Sequence, residues 1–226
     1  MAQTLALIHT SPTLTPIFGA LCAEQMPGVT AFHMVDESLI KDTIHSGHVR
    51  KVTTRRLLAL VDSAFAAGAD AALVTCSTLG PSVTLVQEMF DSPVLRVDEA
   101  MAEAAVKTGD RIGVLATLHT TLEPTSALLR DKAKQTGRKV TLVENLCNGA
   151  FDAVLSGDTA THDRIVSAAL LEQMRNVDVI VLAQASMARV VSAMPPGSVN
   201  VPVLSSPALS VQRAHEVLQN MSGVTA

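Results

Sequence analysis

The sequence predicts an α/β protein of two pseudo-symmetric lobes, each a parallel four-stranded sheet flanked by helices. Three observations support this fold class. Short apolar runs typical of buried strands alternate with longer amphipathic segments, which is the pattern of parallel sheets joined by helices. The 226 residues are 48% hydrophobic but only 2% aromatic, which favours layers of Ala, Val and Leu over a β-sandwich. The segments of the first half also recur, in order, in the second half.

The first half contains four predicted strands, each a run of apolar residues bounded by glycine, proline or polar residues. They cover residues 4–9, 29–35, 71–75 and 93–97. Apolar residues at helical spacing predict helices over residues 17–25, 36–42, 49–67, 82–90 and 98–107. Gly68 ends the longest of these helices, because glycine readily adopts the left-handed conformation that stops a helix.

The second half follows the same plan. Its predicted strands cover residues 111–117, 140–144, 178–184 and 201–204. Its predicted helices cover residues 121–136, 148–155, 161–176, 186–193 and 207–220.

The two halves match in sequence at a nearly constant offset. Residues 6–10 correspond to 113–117, 14–16 to 122–124, 72–79 to 180–187, and 93–95 to 202–204. This repeat predicts lobes of residues 1–108 and 109–226 with a boundary near Gly109, and the C-terminal helix could pack across it. A pseudo-two-fold axis would then direct corresponding strand ends at a common active-site cleft.

Cys76 is the first candidate catalytic residue. It follows the predicted strand 71–75, and Gly80, Pro81 and Ser82 then open a helix. Open α/β sheets bind ligands at the carboxyl ends of their strands, and N–H groups at a helix start lower a thiol pKa. The competing interpretation is a small buried residue, since free cysteine is often buried.

The repeat places Gln184 at the position that corresponds to Cys76. An amide cannot act as a general acid or base near neutral pH, but it donates and accepts hydrogen bonds. We therefore expect Gln184 to contact the substrate rather than to transfer protons. His9 and His119, at or just after the first strand of each half, are candidates for the missing acid or base.

The cysteine count and the charge of the chain argue against disulfides, a metal site and nucleic-acid binding. Cys22 lies on an apolar helix and is predicted to be buried, whereas Cys147 follows a strand and could approach the cleft. Three cysteines do not suggest disulfides, and no His or Cys cluster indicates a metal.

The net charge of −4 argues against nucleic-acid binding, and no apolar run is long enough to span a membrane. With no predicted signal peptide, we expect a cytoplasmic protein.

Residues 74–80, 112–117 and 181–188 resemble motifs of the aspartate/glutamate/hydantoin racemase superfamily. In that family a thiol on each lobe faces the α-carbon of the substrate, and neither metal nor organic cofactor is required. The resemblance implies a homodimer or higher homo-oligomer. It also implies that hydroxyls and amides hold the carboxylate of a small-molecule substrate, at Thr10, Ser11, Ser77, Thr78, Thr117 and Thr120 or Thr121. Ser186 either caps the following helix or contacts this anion.

The chain departs from the family at Gln184, where the second motif usually carries cysteine. The resemblance therefore predicts a racemase-like isomerase in which Cys76 alone transfers a proton on one face of the substrate. Two alternatives remain open at this point. Cys76 could be the nucleophile of a cis–trans isomerase, lyase or hydrolase of a small carboxylate, or the chain could be a non-catalytic carboxylate-binding protein.

Overall fold

The structure, a computed structural model, describes residues 2–223 and contains two parallel sheets of four strands each. The first sheet consists of β1 (Thr4–His9), β2 (Thr30–Val35), β3 (Ala71–Val74) and β4 (Val94–Arg96), in the order β2-β1-β3-β4. The second consists of β5 (Arg111–Ala116), β6 (Thr141–Leu146), β7 (Val179–Leu182) and β8 (Val203–Ser205), in the order β6-β5-β7-β8. The two sheets thus have equivalent strand orders, which confirms the predicted fold class and the repeat.

Helices connect successive strands in both halves. In the first half they are α1 (Thr15–Gln25), α2 (Glu37–Ser46), α3 (Lys51–Ala66), α4 (Gly80–Gln87) and α5 (Glu99–Thr108). In the second they are α6 (His119–Gln135), α7 (Ala150–Leu155), α8 (Thr159–Ala168), α9 (Ala188–Ala193) and α10 (Ser206–Gly223). The predicted helix 161–176 differs from the structure, because α8 continues as a π-helix over Ala169–Gln173. Apolar periodicity in the sequence does not separate these two helix types.

The chain divides into two compact units. The first comprises Met1–Glu99 with Pro207–Ala226, and the second comprises Ala100–Ser206. Helix α10 therefore groups with the first unit, and Gly109, the predicted boundary, lies inside the second.

In the first unit, the two faces of the sheet pack on different helices. Leu5 and Leu7 of β1 face α1 and α10 in one apolar cluster, whereas Ala6 and Ile8 face α3 and α4 in another. This division follows from the alternation of side chains along a strand. The same alternation governs the residues just beyond the strand ends, where the candidate site lies.

Candidate active site

Thr10 and Cys76 follow the ends of neighbouring strands. In the parallel pairing of β1 with β3, Ile8 is opposite Val74, and the Thr75 N–H donates to the Ile8 carbonyl at 2.9 Å. Cys76 then caps a 3-10 turn, Ser77–Leu79, which continues directly into α4. Its thiol therefore lies where a strand ends and a helix begins, as the sequence predicts.

Four hydrogen-bond donors surround the Cys76 thiol. They are the hydroxyls of Thr10 and Thr78 and the backbone N–H groups of Thr78 and Leu79, of which the Leu79 N–H also donates to the Cys76 carbonyl at 3.1 Å. Burial raises the pKa of the Cys76 thiol, and these hydrogen bonds oppose that rise because they stabilise the thiolate. The arrangement can thus hold a thiolate that is a stronger base than an ordinary exposed one.

The other predicted residues of this unit lie close by in the chain but have different roles. Ser77 is buried in the turn after Cys76. Ser11 caps the 3-10 turn Pro12–Leu14: its hydroxyl accepts from the Thr13 N–H at 3.4 Å and lies 2.8 Å from the Thr13 hydroxyl. Ser11 is therefore engaged with its own turn, whereas Thr10 and Thr78 are directed at the thiol.

His9 is engaged away from the thiol. Its Nδ1 lies 2.8 Å from Thr75 Oγ1, and its Nε2 lies 2.8 Å from His33 Nδ1. Burial, and next to it the charge of His33, lowers the pKa of His9 to about 4, so the ring is neutral at physiological pH. Both ring nitrogens are occupied, which leaves neither directed at Cys76.

Arg96 and Asp98 form a buried ion pair beside the Cys76 turn that the sequence analysis did not identify. Arg96 Nε and Nη2 donate to the two Asp98 carboxylate oxygens at 3.1 and 3.0 Å, and Arg96 Nη1 donates to Thr84 at 3.2 Å. The guanidinium lies against Gly80, the first residue of α4, where a Cβ atom would come within 2.3 Å of Nη2. Burial raises the pKa of Asp98, and the neighbouring Arg96 charge opposes that rise. The sequence feature that could have revealed this pair is the presence of two charged residues, Arg96 and Asp98, at the end of an apolar strand segment.

In the second unit, Gln184 occupies the equivalent position at the end of β7. Its Oε1 accepts from the Thr117 N–H at 2.7 Å, and its Nε2 donates to the Thr117 hydroxyl at 2.7 Å. The Gln184 amide therefore pairs with both polar groups of Thr117 and joins the ends of β5 and β7. No titratable atom takes the place of the second thiol at this position.

The first turn of α6 holds the other predicted residues of the second unit. Thr121 is buried, and His119, the first residue of the helix, is exposed. The Thr120 hydroxyl is buried and has no hydrogen-bond partner among residues 2–223. Because Pro124 lacks an N–H, the Thr120 carbonyl also loses its usual helical donor. Ser186 lies half-buried in the 3-10 turn Ala185–Met187 that follows Gln184.

Cys22 and Cys147 differ from Cys76 in their surroundings. Both are buried, and burial raises the pKa of each thiol to about 11. The Cys147 thiol donates to Asn145 Oδ1 at 3.7 Å. Neither thiol has donors like those around Cys76 to stabilise a thiolate.

Within residues 2–223, no cluster of three or more His, Cys, Asp or Glu side chains could hold a metal ion. In the same residues, no helix combines the length and the apolar character needed to cross a membrane.

The fold and the thiol site together define a class of duplicated α/β proteins with a cysteine at the end of a central strand. The Asp/Glu/hydantoin racemase family model matches residues 7–214, and the chain belongs to this family. This confirms the resemblance found in the sequence. No match was found among curated protein sequences.

Solved structures of racemases share the fold. A glutamate racemase from Francisella tularensis subsp. tularensis SCHU S4, in complex with D-glutamate, aligns with a TM-score of 0.75 at 14% identity, covering 98% of this chain and 82% of its own. An aspartate racemase from Picrophilus torridus gives 0.69 at 14% identity, covering 95% and 94%. An allantoin racemase from Klebsiella pneumoniae gives 0.67 at 17% identity, covering 97% and 89%. At these identities the likeness concerns the fold alone.

Proposed function

We propose that this protein is a cofactor-independent, racemase-like enzyme that acts at the carbon α to a carboxylate of a small acid. Cys76 is the group that transfers the proton, on one face of the substrate. The observation that carries this proposal is the set of four donors around the Cys76 thiol, which no other cysteine of residues 2–223 has. Family membership supports the same type of chemistry.

Burial and hydrogen bonding have opposite effects on the pKa of the Cys76 thiol, and both serve proton transfer. A buried thiolate is a strong base, because desolvation raises the free energy of the charged form. The donors from Thr10, Thr78 and Leu79 keep that form accessible. The thiolate can then take the α-proton, and the electron pair left on carbon delocalises into the carboxylate as an enediolate. Return of a proton from the thiol to the same carbon completes the cycle.

The charge that develops on the substrate carboxylate needs preorganised donors, which contribute most where water is excluded. The residues proposed to bind substrate are those that the sequence singled out: Thr10, Ser11, Ser77, Thr78, Thr117, Thr120, Thr121 and Ser186. Of these, Thr120 supplies a buried hydroxyl without a partner in residues 2–223, which is a group ready to bind an oxygen atom. The substrate class of small carboxylates agrees with the D-glutamate complex of the Francisella relative.

Gln184 sets the expected stereochemistry. Its amide cannot return a proton at the position where the family usually has a second thiol. We therefore propose that Gln184 transfers no proton and orients the substrate on the face opposite Cys76 by hydrogen bonding, together with Thr117. With one thiol, proton exchange occurs with retention of configuration. We also propose a homodimer or higher homo-oligomer, which the family resemblance implies.

Proton NMR in deuterated water tests the proposal directly. The purified protein is incubated with a panel of aspartate, glutamate, hydantoins and substituted malonates, and loss of the α-proton signal is followed. Exchange with retained configuration supports one-sided proton transfer by Cys76. Exchange with scrambled configuration would contradict the single-thiol mechanism, because a second group must then serve the other face.

Two other results point to the alternatives. If a substrate is consumed without α-proton exchange, Cys76 acts as a nucleophile, and mass spectrometry should detect a thioether or thioester on it. If ligands bind tightly without exchange or consumption, and Cys76→Ala leaves binding unchanged, the protein is a carboxylate-binding protein. Both outcomes would overturn the proposed proton transfer.

A further inference from the structure

A chain of hydrogen bonds, buried at His9 and half-buried at His33, crosses three strands of the first sheet next to the Cys76 site. It runs from His33 on β2 through His9 on β1 to Thr75, the residue after β3. The imidazole rings of His9 and His33 stack with centroids 5.1 Å apart, and Phe18 covers His9 at 5.6 Å. His9 is completely buried.

The Thr75 hydroxyl lies 3.2 Å from the Ile8 carbonyl and 2.8 Å from His9 Nδ1. When this hydroxyl donates to the carbonyl, its oxygen accepts from His9 Nδ1–H. The unprotonated His9 Nε2 then accepts from His33 Nδ1–H. A neutral His9 is required, which agrees with its lowered pKa. In this arrangement each histidine has one tautomer, with its proton on Nδ1.

The chain cannot carry protons to the thiol. It ends at a backbone carbonyl, which accepts a hydrogen bond but does not pass a proton on. Its role must therefore concern the position of the groups it connects.

His9 and Thr75 each immediately precede a residue of the thiol site. Because side chains alternate along strands, they point to the α1 face of the sheet while Thr10 and Cys76 point to the opposite face. The packing agrees, since His9 contacts Phe18 in the α1 cluster and Cys76 packs on the cluster of α3 and α4. The His9–Thr75 hydrogen bond thus ties together the two strand ends that bring the Thr10 hydroxyl to the thiol.

We propose that His9 is a positioning residue for Cys76: it acts through Thr75 to hold the Thr10 hydroxyl against the thiol, and His33 sets its tautomer. This inference rests on the proposed role of Cys76 as the reactive thiol. Loss of the His9–Thr75 bond should let the strand ends separate and weaken one of the four hydrogen bonds to the thiolate. A hydrogen bond to a charged group is strong enough for this to slow thiolate reactions about tenfold.

The test is the alkylation rate of each cysteine by iodoacetamide, resolved by mass spectrometry, between pH 6 and 10. The variants are His9→Leu and Thr75→Val, which break the bond from either side, and His9→Asn, whose amide can still donate to Thr75. We expect Cys76 to react about tenfold more slowly near neutral pH in the first two variants, with a pH profile moved to higher pH. His9→Asn should restore most of the rate.

The buried Cys22 and Cys147 serve as internal controls for opening of the fold. Unchanged Cys76 rates in His9→Leu and Thr75→Val would overturn the positioning role, as would faster alkylation of all three cysteines, which shows general loosening. If Cys76 of the unmodified protein is as unreactive as Cys22 and Cys147, the assignment of the reactive thiol fails instead. The two failures are therefore distinguishable.

Discussion

Gln184 is paired with Thr117 through both ends of its amide. The Thr117 N–H and hydroxyl, two groups that the family resemblance assigns to carboxylate binding, each form a 2.7 Å hydrogen bond with Gln184. A cysteine at this position would be too short to make both bonds and would leave the two Thr117 groups open. An amide in place of the thiol that the resemblance implies at this position therefore changes the bonding of Thr117 as well as the chemistry available at residue 184.

The first prediction concerns Gln184→Cys. It places a thiol at the position of the family's second motif and releases Thr117. If the two motifs act on one substrate, as the resemblance implies, α-proton exchange should change from retained to scrambled configuration, because a second group can then return the proton. Chiral chromatography of the NMR samples measures this. Gln184→Ala is the control: it also releases Thr117 but adds no titratable group, so configuration should still be retained. Equal stereochemistry in both variants would contradict the prediction.

The second prediction concerns Cys76. Cys76→Ser should reduce α-proton exchange at least about a hundredfold, because a hydroxyl is a far poorer proton-transfer group near neutral pH than a thiol. Cys147→Ala is the matched control, since that thiol lies in the other unit, is buried and has a pKa of about 11. It should keep the activity of the unmodified protein. Circular dichroism checks that both variants fold. Retained exchange in Cys76→Ser would show that another group transfers the proton.

The sequence predicts the fold well because its local signals agree. Strand β1 has the same limits in prediction and structure, since an apolar run is bounded on both sides by polar residues. Cys76 was identified because a strand end and a helix start flank it within a few residues. The repeat identified Gln184 from position alone. These features are encoded by neighbours in the chain.

The parts that sequence analysis missed depend on contacts between distant residues. The partner of Gln184 is 67 residues away, and the partners of His9 include Thr75 at a separation of 66. Nothing near His9 in the sequence shows that both its nitrogens are occupied. The Arg96–Asp98 pair is close in sequence, but its burial follows from the packing of Arg96 against Gly80 of α4. Side-chain pairing of this kind requires the assembled sheet.

The third prediction concerns Gly80→Ala. The new Cβ would lie within 2.3 Å of Arg96 Nη2 and 2.7 Å of Arg96 Cζ. The guanidinium cannot move without weakening its bonds to Asp98, which is completely buried. We expect a loss of about 2 to 3 kcal/mol in the free energy of unfolding, measured by urea denaturation.

Two controls separate this effect from helix propensity and from general crowding. Gly19→Ala, within α1, places a Cβ at an ordinary 3.6 Å from His33, so it should be neutral or stabilising by about 0.5 to 1 kcal/mol. In an Arg96→Ala background, Gly80→Ala should lower the free energy of unfolding only a little, because the guanidinium that the new Cβ would meet is absent. If the losses of the two single variants add up in the double variant, the contact between the new Cβ and Arg96 is not the cause of the destabilisation.

The last prediction concerns acid stability. In the unfolded chain His9 titrates near 6.5, whereas in the folded protein its pKa is lowered to about 4. Between these values the unfolded state binds a proton that the folded state excludes. The contribution of His9 to the free energy of unfolding is therefore complete above pH 6.5 and is lost as the pH decreases towards 4. The difference between the two pKa values corresponds to about 3 kcal/mol.

The variant His9→Asn isolates this contribution, because asparagine does not titrate and can keep the bond to Thr75. Urea denaturation at pH values from 7.5 to 4.5 should show a smaller loss of stability in the variant than in the unmodified protein. Asp36 and Asp42, whose pKa values are lowered, lose their stabilisation only below pH 3.8, outside this window. Asp98, whose pKa is raised, affects both proteins alike and cancels in the difference. His33, whose pKa is also lowered, remains in both proteins. Parallel curves for the two proteins would show that His9 accepts a proton in the folded state and that its pKa is not lowered by burial.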